Sequence, residues 1–342
     1  MQGAVPDFLT LNAADRALAF EQAALRRQCS PVMVEKDFWV SWLLRELFAD
    51  AQGSLVFKGG TSLSKVFGVI DRFSEDIDLC LTPALVGADE NVFDTLNSRT
   101  RRDAVMNKLQ DRCARYTRDT LAPHLEQRIR QILGEREGAP WLEFGTDAVS
   151  RSPILLFHYP SVQPTGFAYL LRSVKLEPGT LTDQQPVGLH LVRPWLADDF
   201  PDMFAGWRCQ VTALELERTF WEKATILHSE HHRPAGQHMP ERYSRHYSDM
   251  ARLLQHRDGA RHLADTALAQ RVVDWKNRLF GRAWARYDLA RRGSFRLLPA
   301  ESRLAALRDD YVKMRPMFLT EPPEFDEVMT QLAEAEAELN QS

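Results

Sequence analysis

The 342-residue sequence contains no run of 18 apolar residues, so no transmembrane helix is expected. Its first twenty residues, MQGAVPDFLTLNAADRALAF, lack the basic start and apolar block of a secretory signal. Cysteine is scarce. Cys29, Cys80, Cys113 and Cys209 stand far apart without C-x-x-C spacing, which argues against a zinc knuckle and predicts a reduced, cytoplasmic chain. No internal repeat is visible. Residues 321–342 lack Lys and Arg altogether and carry seven acidic residues; without them the formal charge moves from −4 to +3. Residues 242–315 hold 17 Lys or Arg against 8 Asp or Glu. That surplus suits a polyanion such as RNA, but on charge alone a set of solvated helix faces is the preferred reading. What is present is ordinary for a globular chain: 44% hydrophobic residues and enough length for two domains.

Periodicity divides the chain. Residues 12–28 read as an amphipathic helix, and Ser30-Pro31 as an N-cap and first-turn proline opening a helix to about Phe48. SLVFKG (54–59) reads as a buried strand, Thr61 to Phe67 as a short helix, and DIDLCLT (76–82) as an alternating strand. The span from about Val92 to Leu133 is expected to be helical with a break at Pro123. Strands are expected over 141–149, 153–160, 168–179 and 187–194. A loop at 195–212 precedes a part that is helical from Val211 onward, with helices over 215–230, 242–256, 261–280, 301–315 and 324–339. Phe325, Val328, Leu332 and Leu339 make the acidic tail an amphipathic last helix.

One stretch carries chemistry: GGTSLSKVFGVIDRFSEDIDL, residues 59–79. Asp76 and Asp78, at i and i+2 on a strand, share a face about 6.6 Å apart. Two such carboxylates repel unless a cation lies between them, and Mg²⁺ is usually held by one or two carboxylates plus substrate phosphates. Glu177, in LLRSVKLEP, is the best third acid. The turn Gly59-Gly60-Thr61 offers free N–H groups to a phosphate. Each feature alone has a plain structural counterpart: a tight turn, an exposed strand edge, a surface glutamate. Their order points to in-line attack at phosphorus. His228, His231 and His232 have the spacing of a one-face metal site, but a polar helix end is the preferred reading.

Residues 57–82 resemble the nucleotidyltransferase core of the DNA polymerase β-like superfamily. More closely, the chain resembles the AbiEii/AbiGii family, the toxin half of type IV toxin–antitoxin pairs. The stretches that carry this are VEKDFWVSWLL (34–44), FKGGTSLSKVFGVIDRFSEDIDL (57–79), LRSVKLEPG (171–179), LERTFWEKATILH (216–228) and SRHYSDMARLL (244–254). The resemblance implies an α+β fold, with a polymerase β-like mixed-sheet core and N-terminal helices over 1–205. An all-helical domain over 206–342 would close the active site. It implies Asp76, Asp78 and Glu177 as metal-binding and catalytic acids, Lys223 as a phosphate-facing lysine and Asp249 as an aspartate of the closing domain. Gly59, Gly60, Thr61, Lys65, Ser74, Lys223 and Arg245 fall to the nucleotide. His246 stands where many relatives carry Asp.

The implied activity is Mg²⁺-dependent transfer of NMP from an NTP to an acceptor, with two metal ions and release of pyrophosphate. The implied acceptor is an RNA such as a tRNA end. The implied setting is cytoplasmic phage defence beside a cognate antitoxin that need not bind the toxin stably. Two other readings stay open: an aminoglycoside-type small-molecule nucleotidyltransferase, and a non-catalytic binding protein on the same fold.

Overall fold

The computed structural model describes residues 7–49, 53–89, 92–93, 98–147, 151–163 and 171–341. The chain forms two compact units, one from residues 1–66 and 73–213, the other from 67–72 and 214–342.

In the first unit, α1 (Ala13–Arg27) and α2 (Pro31–Phe48) are followed by β1 (Leu55–Lys58), α3 (Gly59–Lys65) and β2 (Ile77–Leu81). Next come α4 (Arg99–Tyr116), α5 (Ala122–Leu133), β3 (Leu142–Thr146), β4 (Pro153–Phe157), β5 (Val174–Gly179), β6 (Val187–Leu191), α6 (Leu196–Asp199) and β7 (Gln210–Leu214). The seven strands form one mixed sheet in the order β3-β4-β5-β2-β1-β7-β6. β1 runs antiparallel to β2, and β2 parallel to β5. Ser30 caps α2 by accepting from Val32 N at 3.3 Å, and Pro31 sits in the first turn, where no N–H is needed. α2 is buried nearly all round. Phe38, Trp39 and Trp42 pack with Phe8, Phe20, Phe157, Tyr159 and Phe204 into an aromatic core.

Three expectations for this unit need correction. The chain is not helical from Val211: Gln210–Leu214 is a strand, parallel to β1 through Phe57 and Ala213. The alternation of Gln210 and Thr212 with Val211 and Ala213 is too short to declare a period. The loop expected over 195–212 holds α6 and a 3₁₀ turn, Pro201–Phe204. Pro123 does not break the helical span. α4 and α5 run on through a π turn, Thr117–Leu121, and Pro123 falls in the first turn of α5. Parts of the expected strands 141–149 and 168–179, and of the helix from Val92, lie outside the described residues.

The second unit holds α7 (Leu216–His231), α8 (Ser244–Gln255), α9 (Gly259–Ala264), α10 (Thr266–Phe280), α11 (Leu304–Met314) and α12 (Phe325–Asn340). The helix expected over 261–280 is two, because Asp265 caps α10 by accepting from Leu268 N at 3.0 Å. The acidic tail is α12. A reciprocal capping box of Glu324 and Glu327 opens it, and Phe325, Val328, Leu332 and Leu339 are buried as it packs on α8. Glu336 accepts from Leu297 N (2.6 Å), Leu298 N (3.0 Å) and Arg296 (2.9 Å), while Asp326 pairs with Arg308 and Glu324 with Arg315. The tail therefore neutralises part of the basic segment ahead of it. No described helix is long and apolar enough to cross a membrane.

Candidate active site

Strand register assembles the acids. Lys58 on β1 stands opposite Asp78 on β2, and Asp78 beside Glu177 on β5, so one row crosses three adjacent strands. Asp76 lies two residues before Asp78, just ahead of β2. Lys58 Nζ is 3.9 Å from Asp78 Oδ1, and Lys175 pairs with Glu177. Burial pushes the Asp76 carboxyl up to about 6. Glu75 and Glu177 add to the rise, Lys175 opposes it and Asp78 contributes further. The residues are neighbours without being a closed ligand set: no group of three His, Cys, Asp or Glu among the described residues is arranged to hold a metal ion. The chemistry of the donors nevertheless fits a hard divalent cation, which takes carboxylate oxygens and would relieve the burial and negative neighbours that raise Asp76.

The turn before α3 is shaped around these acids. Gly59 has φ of 80°, in the left-handed region. A Cβ there would fall on the Asp78 carboxylate, well inside contact with Oδ2 and 2.8 Å from Cγ. No side chain caps the N-terminus of α3. The Thr61 hydroxyl, expected at a phosphate, has another task. It is buried, donates to the carbonyl of Asp76 at 2.5 Å and meets Ser74 Oγ at 2.9 Å. Thr61 and Ser74 thus brace the backbone that presents Asp76.

Lys65 likewise turns inward. Its ammonium pairs with Asp37, contacts the Arg193 carbonyl at 3.3 Å and lies 5.5 Å from the Trp195 ring centroid. Burial lowers the Lys65 pKa. As placed, its charge is met inside the protein and not offered to a nucleotide. Sequence reasoning missed the partner and the wider pattern. Glu35, Lys36 and Asp37, three successive buried charges on α2, each fasten a different segment. Glu35 accepts from Ser161 (2.6 Å) and Val162 N (2.7 Å), Lys36 pairs with Glu75 beside Asp76, and Asp37 accepts from Trp195 N at 2.8 Å. The signal was available: charges do not stand consecutively in a buried apolar helix without partners.

Within the helical unit, Arg72 clamps Asp249 through two bonds of 2.7 Å, and Lys223 donates to the same carboxylate at 2.6 Å. Burial opposes ionisation of Asp249, but Arg72 and Lys223 overcome it and hold the carboxyl well below the usual range. Burial lowers Lys223. Two cations thus face one carboxylate. His246 Nδ1 lies 3.4 Å from Lys223 Nζ, and burial beside Lys223 keeps the ring neutral. Arg245, on the same helix, is exposed. Arg72 was another omission from the sequence reading, since its link to Asp249 spans 177 positions. Two of the three histidines are engaged by backbone: His228 bonds the Arg286 carbonyl and Arg296 N, and His231 the Leu298 carbonyl.

The family model for the nucleotidyl transferase AbiEii toxin of type IV toxin–antitoxin systems matches residues 42–331. No curated protein matches the chain. Among solved structures it is similar to MenT4, a nucleotidyltransferase toxin from Mycobacterium tuberculosis H37Rv, at 17% identity and a TM-score of 0.49, over 97% of this chain and 90% of that one.

Proposed function

The chain belongs to the AbiEii family of nucleotidyltransferase toxins of type IV toxin–antitoxin systems, and from that premise we propose that it is Mg²⁺-dependent and transfers NMP from an NTP to an RNA acceptor such as a tRNA end. The observation that carries this is the juxtaposition of Asp78 with Glu177 across parallel strands, with the Asp76 carboxyl raised beside them. Asp76, Asp78 and Glu177 would hold the metal, which when bound supplies Lewis-acid stabilisation of charge at phosphorus.

The chain's own residues do the rest. Glu177, on turning from Lys175, accepts the proton of the attacking hydroxyl as its oxygen bonds to the α-phosphorus and the bond to pyrophosphate breaks. The uncapped N–H groups at Gly59–Thr61 suit a phosphate oxygen. Thr61 and Ser74 fix Asp76. Lys223, at the family's phosphate-facing position, is held by Asp249. The regulatory partner is a cognate antitoxin.

The test is incubation with Mg²⁺, each α-labelled NTP and total RNA, with Asp76→Asn as control. Label on tRNA-sized RNA with wild type alone is expected. Label unchanged in the variant would overturn the site. Labelling of a small-molecule acceptor alone would overturn the RNA reading and keep the chemistry.

A further inference from the structure

Charge counts in the sequence direct attention to residues 242–315, but the structure answers much of that charge internally. Arg252, Arg257, Arg286, Arg296, Arg308 and Arg315 all pair with carboxylates, two of them with residues of α12 and Arg315 with Glu324, its N-cap. A different basic surface stands in the sheet unit. α4 carries Arg99, Arg101, Arg102, Lys108, Arg112 and Arg115 against Asp103 and Asp111. Arg99 and Arg102 are drawn to Asp103. At about 100° per residue, Arg101, Lys108, Arg112 and Arg115 fall within a sector of about 60°, spread over about 21 Å of helix axis. Asp111 lies to one side of that sector, and Leu109 and Cys113 bury the other. Arg101, Lys108 and Arg115 are exposed or nearly so, and no described residue forms a salt bridge with them; Arg112 donates to the Gly87 carbonyl. α4 packs on β5, where Cys113 Sγ lies 3.6 Å from the carbonyl of Pro178, the residue after Glu177.

We propose that this face of α4 docks the phosphodiester backbone of the RNA acceptor; the proposal rests on the reading of an RNA acceptor given above. The chemistry selects the partner. Three of the four cations are arginines, whose planar fork matches phosphate oxygens. The stripe carries no large apolar side chain to insert into a membrane. A linear array of cations binds a polyanion without regard to sequence and releases counterions on doing so.

The probe is unfractionated transfer RNA, with binding measured across a salt series. The triple variant Arg101→Gln, Lys108→Gln, Arg115→Gln changes only surface residues. Loss of three phosphate contacts flattens the slope of log affinity against log salt by about 2, and weakens binding about 10-fold or more near physiological salt. The KM for RNA in the transfer assay rises in step, while the KM for NTP does not move. A second triple variant, Arg261→Gln, Arg291→Gln, Arg292→Gln, removes equal charge from exposed sites of the helical unit and leaves binding within about 2-fold of wild type. Equal losses in both variants would reduce the effect to net charge and overturn the proposal. An unchanged salt slope in the α4 variant overturns it while leaving the RNA reading standing. Wild type that neither binds nor labels transfer RNA overturns both.

Discussion

Gly59→Ala separates the two demands that the turn before α3 makes on this residue. The first is conformational: φ is 80°, and an L-residue there costs about 1–2 kcal/mol. The second is local: the new methyl would occupy the seat of the Asp78 carboxylate, 2.8 Å from Cγ and 3.0 Å from Cβ. The carboxylate is the far end of a short side chain and can rotate away, so the fold survives. For a unit of this size the strain lowers the melting temperature by about 2–8 °C. Rotation moves a proposed metal-binding oxygen by an ångström or more, and a displacement of that order costs about 100-fold in rate. Gly68→Ala is the matched control. It shares a positive φ, 62°, but a Cβ there meets nothing within 4 Å. Pyrophosphate release at saturating NTP, with thermal unfolding of both variants, reads the outcome. Similar melting temperatures with activity lost only in Gly59→Ala is the expected result. If Gly59→Ala keeps more than half of wild-type kcat, or both variants lose activity equally, the position of Asp78 does not govern the chemistry.

Thr61→Val removes the donor to the Asp76 carbonyl and leaves buried oxygens unpaired, at a cost of about 1–3 kcal/mol. The bracing role predicts a lower kcat with unchanged KM for NTP, and recovery in Thr61→Ser; a raised KM alone would return the hydroxyl to the phosphate. Asp249→Asn removes the negative charge that faces the buried Arg72 and Lys223 and destabilises the helical unit by about 3–5 kcal/mol at neutral pH. Because the folded carboxyl titrates below its unfolded value of about 4, its contribution is complete above that pH and drains away as the pH falls below it. The stability gap between wild type and variant, followed by denaturant unfolding, should therefore narrow from pH 4 downward; a gap independent of pH contradicts the ion cluster. Lys65→Met alone strands the buried Asp37, whereas Asp37→Asn with Lys65→Met, which removes both charges and keeps an acceptor for Trp195 N, should recover most of that loss. If the double variant folds but its KM for NTP rises 10-fold, Lys65 serves the nucleotide after all.

The sequence by itself located the candidate acids, the turn and most of the elements, because these are marked by patterns among near neighbours. Period-2 alternation in DIDLCLT marks the strand that carries Asp78, with Asp76 just ahead of it, and Ser30-Pro31 starts a helix through bonds made within one turn. Asp265 splitting α9 from α10 and the π turn ahead of α5 were local too, but small shifts of hydrogen-bond register leave little mark on a hydrophobic pattern. The strand β7 was beyond reach for a different reason. Five residues cannot declare a period, and what makes them a strand is the parallel edge of β1, some 150 positions earlier.

Only the tertiary structure decided what the charged residues do. Lys65 has the composition of a phosphate ligand and the surroundings of a structural ion pair. Thr61 has the hydroxyl of a phosphate loop, spent on a carbonyl 15 positions away. The basic segment has a high count, but Arg296, Arg308 and Arg315 are taken up by carboxylates of the folded tail. A charge is worth what its nearest partners and the local dielectric make of it, and those partners are set by packing over long sequence separations.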